Sequence, residues 1–167
     1  MKKLIMINGT MGVGKSEVSR QLLKIMTPGV WLDGDWCWNM NPFVVSDENK
    51  EMVLDNISYL LRSFLQNTGY EYIIFCWVIH QENILDQVLS RLKEMEFSLY
   101  KISLICSQEA LISRLQNDVK AGIRSPDVIE RSIPRLPLYH LMDTHKIDVS
   151  DITAEQAAQE IKQFVLL

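Results

Sequence analysis

Residues Gly9 to Ser16 read GTMGVGKS and meet the spacing GxxxxGK[ST] at every position. The residue types suit the binding of a polyphosphate. Three glycines let the main chain curl so that the N–H groups of residues 11–16 point inward onto an anion. The start of the following helix adds unpaired N–H groups and the positive end of the helix dipole. Lys15 would reach the β- and γ-phosphates, and the Ser16 hydroxyl would hold Mg²⁺. The candidate nucleotide-binding residues are therefore Gly9, Thr10, Met11, Gly12, Val13, Gly14, Lys15 and Ser16.

A second group follows an apolar run. Asp33-Gly34-Asp35 supplies two carboxylates, two residues apart. One carboxylate would take the proton of an attacking hydroxyl, and the other would hold a metal or its water. We favour Asp35 as base and Asp33 as metal partner, with exchangeable roles. The bland alternative is a solvated Asp-Gly turn. Trp36 and Trp38 follow, with Asn39, Asn41 and Phe43, and an exposed loop rarely carries two tryptophans without reason. Asp33, Asp35, Trp36 and Trp38 are the candidate acceptor-binding residues, although both indoles could instead only close the loop against the body. Ser16 and Asp33 are the candidate metal ligands. His80, a lone histidine at a strand end, is more readily structural.

Cations come later. Four of the seven arginines, Arg114, Arg124, Arg131 and Arg135, lie within 22 residues. Charge developing on a moving phosphoryl group calls for such side chains on a segment that closes. Gly122 offers a hinge, so a lid is expected over about 120–136, with Arg124 and Arg131 the first candidates and Arg114 and Arg135 behind them. The alternative is a solvated helix with surface ion pairs to Asp127 and Glu130. With Lys15 and Asp35, Arg124 and Arg131 complete the predicted catalytic set.

The elements that must position these residues alternate. Short apolar runs are expected as strands near residues 4–7, 30–32, 72–79, 99–106 and 146–149. Amphipathic stretches between them predict helices over 17–26, 47–66, 82–95 and 108–120, one starting at Ser125-Pro126 and faltering near Pro134 and Pro137, and one from Thr153. Residues 36–47 have no period and are expected as a loop. The run YIIFCWVI at 72–79 is the most apolar, as a strand buried on both faces requires. This pattern predicts one domain over 1–167, a three-layer α/β/α sandwich on a five-stranded parallel sheet. Ligands of such sheets sit at the carboxyl ends of the strands, where all the groups above fall.

The bulk properties set limits. At 167 residues with 47% hydrophobic side chains, the chain can bury a core without staples. A net charge of −4 argues against a nucleic-acid partner. Cys37, Cys76 and Cys106 are far apart and lack metal-ligand spacing, which points to a reducing, cytoplasmic setting. No secretory leader or membrane span is expected, and the chain reads as a monomer or homodimer.

These motifs resemble the small P-loop kinases: the shikimate, gluconate and adenylylsulfate kinases, the chloramphenicol phosphotransferases and the nucleoside-monophosphate kinases. GTMGVGKS carries the likeness, together with LDGDW at 32–36, which is similar to the LDGD segment of adenylylsulfate kinases. The resemblance implies sheet order 2-3-1-4-5, MgATP as donor, catalytic roles for Asp33 and Asp35, and lid arginines at Arg124 and Arg131. Trp36-Cys37-Trp38 departs from the adenylylsulfate kinases directly after LDGD. No DGFPR-like pattern follows the third strand, and Asn49-Lys50-Glu51-Met52 is no guanine-reading motif. The expected activity is transfer of the γ-phosphate of ATP to a hydroxyl of a small molecule. A nucleoside or nucleotide kinase, a drug-modifying kinase, and an ATP-binding module without catalysis are the alternatives.

Overall fold

The computed structural model describes residues 1–167. Five parallel strands, β1 (Lys3–Asn8), β2 (Gly29–Asp33), β3 (Tyr72–Cys76), β4 (Ser98–Ile105) and β5 (His145–Asp148), form one sheet. Their order is β2-β3-β1-β4-β5, as the resemblance implied. Seven helices join them: α1 (Lys15–Ile25), α2 (Asp47–Gln66), α3 (Glu82–Ser90), α4 (Gln108–Lys120), α5 (Val128–Ser132), α6 (Leu136–Leu141) and α7 (Ala154–Leu166).

Alternation along the strands divides the core in two. Ile5 and Ile7 of β1 face one layer with Val18 and Leu22 of α1, Leu111 of α4 and Ile161 of α7. Leu4 and Met6 face the other with Ile57 and Leu61 of α2 and Leu85 and Val88 of α3. The side-chain period of two puts successive residues of a strand on opposite faces, so a central strand must be apolar throughout. Helix starts follow the capping residues. Ser46 accepts from Asn49 N at 3.1 Å, Ser107 from Ala110 N at 3.1 Å, and Thr153 and Gln156 form a reciprocal capping box.

This layering fixes the site. β1 leads into α1 on one face, while its neighbour β3 leads into α3 on the other, so the carboxyl ends of β1 and β3 open a crevice between diverging connections. The loop after β1 and Val78, just past β3, border that crevice.

Four expectations change. β3 stops at Cys76 rather than Ile79, because its neighbours end there: Ile7 and Asp33 are its last partners. Only Trp77 N still reaches Ile7 O, at 3.1 Å, and Val78 is released to the crevice. α3 stops at Ser90, and 91–95 continue as tight turns with Leu92 buried. Within the expected loop, Gly34–Trp38 forms a 3₁₀ turn capped by the Asp33 carboxylate. Pro134 and Pro137 divide the last third into α5, a 3₁₀ turn and α6 without ending it, since each sits in a first turn where its missing N–H costs little.

Candidate active site

The loop after β1 is held by its own side chains. Lys15 Nζ donates to Gly9 O at 2.9 Å and Thr10 O at 3.0 Å, and Thr10 Oγ1 donates to Ser132 O at 3.1 Å. Gly12 (φ +81°) and Gly14 (φ +108°) take left-handed backbone, which a side chain disfavours. At Gly12 a Cβ would also lie 2.3 Å from Leu115 Cδ2. The loop therefore curls against α4, with Met11, Gly12, Gly14, Lys15 and Ser16 lining the crevice. Burial lowers the Lys15 ammonium to about 8, against the pull of nearby anionic groups including Asp35 and Asp33. An anion there would hold that ammonium charged, so the loop fits a polyphosphate.

Ser16 and the aspartates form one unit. Ser16 Oγ donates to Asp33 Oδ2 at 2.6 Å, and Asp33 Oδ1 accepts from Asp35 N at 3.1 Å. Asp33 is buried, with both oxygens engaged. Expected at the acceptor, Asp33 does not line the cleft. It stands behind Ser16 and aims the backbone of Asp35. Two oxygens so close to the phosphate loop fit a magnesium ion, directly or through its waters. No cluster of three carboxylate, imidazole or thiol groups forms anywhere in the chain.

Asp35 opens onto the crevice. Burial of its surroundings, then the Asp33 carboxylate, hold its carboxyl above the ordinary aspartate value, while Lys15, Arg124 and the Trp77 indole pull it down. Trp77 was not anticipated. Its ring packs directly on Gly34: a Cβ there would meet Trp77 Cγ at 2.5 Å and Cδ1 at 2.6 Å. The glycine between the aspartates is thus required by close approach rather than by a special φ.

The crevice has a volume of about 900 Å³. Met11, Gly12, Gly14, Lys15, Ser16 and Glu17 form its phosphate end. Asp35, Trp36, Trp38, Asn39, Phe43, Val78 and Arg135 form the other. Trp36 rests on Trp31 with centroids 5.0 Å apart, and Trp38 on Phe43 at 5.8 Å. Both predicted tryptophans thus border the cleft and also pack on the body.

The arginines separate. Arg124 lines the cleft, held by Asp118 at 3.0 Å (Nε to Oδ2), a pairing six residues apart across Gly122 that no periodic pattern signals. Arg114 donates to Val13 O at 3.2 Å and to Val149 O, which joins the phosphate loop to the β5–α7 connection. Beside it a smaller groove of about 180 Å³ runs along Val13, Gly14, Ile152 and Thr153. Arg131 does not reach the cleft. It is exposed and paired with Asp127 at 2.7 Å, one helical turn away. Arg135, ranked lower from sequence, lines the cleft instead. His80 is half-buried, and burial with the nearby Arg135 charge lowers its pKa. Within the expected lid segment, 121–127 is largely exposed, whereas Val128, Ser132 and Leu136 are buried against the body.

A sequence model described as the AAA domain matches residues 5–132, three-quarters of the chain and all of the phosphate end. The chain belongs to the AAA domain family. A search by sequence among curated proteins matches none. Among solved structures, the fold is similar to a tunicamycin resistance protein from Deinococcus radiodurans (19% identity, TM-score 0.69, covering 99% of this chain and 97% of that one). It is also similar to a gluconokinase from Sinorhizobium meliloti 1021 (16%, 0.68, 98% and 94%). The adenylylsulfate (APS) kinase of Mycobacterium tuberculosis, solved with AMPPNP and APS, gives 15% and 0.63, with 99% and 98% covered. These likenesses establish for this AAA-family chain the fold shared by the small P-loop kinases. No helix is long and apolar enough to cross a membrane.

Proposed function

We propose that this chain is an ATP-dependent phosphotransferase, moving the γ-phosphate of MgATP to a hydroxyl of a small molecule. The observation that carries the reading is Asp35, a carboxylate facing the same cleft as Lys15, its N–H fixed by the Asp33 that also holds Ser16. A loop that only bound nucleotide has no use for a base of raised pKa aimed past it.

The chain's part in the reaction is as follows. N–H groups of residues 11–16 and the Lys15 ammonium hold the β- and γ-phosphates, and the groove beside Arg114 and Ile152 takes the base of the nucleotide. Ser16, with Asp33 behind it, would hold the metal, which when bound supplies charge to the β- and γ-oxygens. The acceptor hydroxyl gives its proton to Asp35 as its oxygen takes the phosphoryl group, and ADP leaves from the loop. Arg124 and Arg135 meet charge on the transferred group. Asp118 holds Arg124 until phosphate oxygens replace it, and the exposed 121–127 segment lets it move.

The test is Asp35→Asn. ADP release driven by an acceptor should fall by about 10²-fold or more, with nucleotide affinity changed less than about threefold. Turnover equal to wild type would remove Asp35 as base. Equal, acceptor-independent hydrolysis in both proteins would favour the nucleotide-binding module.

A further inference from the structure

We propose that the acceptor end of the cleft takes a flat apolar alcohol, such as an aromatic alcohol, rather than a sugar or polyol. The inference rests on the phosphotransferase reading for the word acceptor, but not for the ligand class.

Trp36 is 56% exposed and Phe43 64%, and both border the cleft. Large aromatic surface left facing water beside a binding site is unfavourable until an apolar body covers it. The rings are braced beforehand, Trp36 on Trp31 and Trp38 on Phe43, so little order need be imposed when a ligand arrives. Val78 extends the apolar wall from the end of β3.

The polar inventory points the same way. Asp35 and Asn39, with the indole N–H groups of Trp36 and Trp38, are the polar groups at that end, Arg135 being given to the transferred phosphoryl group. Lys15 and Ser16 belong to the phosphate loop, Arg124 is bound to Asp118, and Arg114 is engaged by backbone carbonyls. A polyol carries a hydroxyl on nearly every carbon, and each one stripped of water needs a partner. So small a set, mostly donors on rings, matches a ligand with one hydroxyl for Asp35 and a few further polar atoms. The remainder of its surface would lie against rings.

The experiment is a ligand-observed NMR titration of the full chain, with Mg²⁺ and a non-hydrolysable ATP analogue, using 2-phenylethanol, 4-nitrobenzyl alcohol and xylitol as probes. ADP release with MgATP is followed in parallel. The aromatic alcohols should bind at least about tenfold more tightly than xylitol. Trp36→Ala and Phe43→Ala should each weaken them by about fivefold, while Leu141→Ser, an exposed position outside the cleft, leaves them unchanged. Nucleotide affinity in each variant checks that the cleft still folds. Xylitol binding as tightly, no binding by either class, or aromatic binding indifferent to both ring substitutions would overturn the inference. Aromatic binding without ADP release would support the ligand class and remove the phosphotransferase reading. ADP release driven by xylitol alone would do the reverse.

Discussion

The two ends of the cleft are built differently. The phosphate end is made of backbone and short internal bonds: Lys15 on its own loop's carbonyls, Ser16 on Asp33, Thr10 on Ser132. The acceptor end is made of side chains on a 3₁₀ turn and a loop, held by ring contacts and mostly exposed. One end is preorganised for an anion whose shape does not vary. The other is a surface that can change without disturbing the sheet. Asp33 joins them, with one oxygen toward each end.

If that division is right, substitutions at the phosphate end should remove binding and turnover together, and those at the acceptor end should separate them. Lys15→Met tests the first half. Loss of a buried cation aimed at the phosphates should lower turnover on the order of 10²–10³-fold, with nucleotide affinity falling too in a direct titration. Arg124→Ala should cost at least about tenfold in turnover with a smaller change in nucleotide affinity.

Acidity gives a finer test. Lys15 in the folded chain loses its proton near pH 8, well below an ordinary lysine. Polyphosphate favours the charged form, so above pH 8 binding must bring a proton with it. Affinity for ATP should be nearly constant up to about pH 7 and then fall, by as much as about tenfold per pH unit above 8. Calorimetry in buffers of different ionisation enthalpy should register proton uptake at pH 8.5 and little at pH 6.5. Affinity that rises with pH would contradict the burial of Lys15.

Gly34→Ala probes the joint between the ends. The added methyl would collide with the Trp77 ring, so a loss of about 1–3 kcal/mol in denaturant unfolding is expected, with a fall in turnover that exceeds the fall in nucleotide affinity. The smallest effect is at Arg131. Its pair with Asp127 is exposed and screened by water, so it adds little to stability, and Arg131→Ala should leave turnover within about twofold.

The same contrast explains what the sequence discloses. Gly9–Ser16 is legible because phosphate geometry demands glycines, a lysine and a hydroxyl at set spacing, and the strand and helix around it follow from apolar period. Sheet order entered through the resemblance, since periodicity alone does not order strands. The extent of β3 is not legible, because apolar composition says nothing of where the neighbouring strands turn away. Arg131 and Arg135 are four apart, and the pattern that favours Arg131 does not show which of them faces inward. Only the proline-broken path of α5 and α6 decides that Arg135 enters the cleft and Arg131 stays in solvent. Trp77 on Gly34, and Asp118 on Arg124, are tertiary contacts with no local signal at all.

The central claim is that one cleft presents a phosphoryl group to a hydroxyl beside Asp35. The direct measurement is ³¹P NMR of MgATP incubated with the protein and a panel of small alcohols, polyols and nucleosides. The account predicts a new phosphate-ester resonance appearing in step with ADP, and its loss in Asp35→Asn. ATP left intact with every acceptor, or converted only to ADP and inorganic phosphate at a rate indifferent to Asp35, would contradict it.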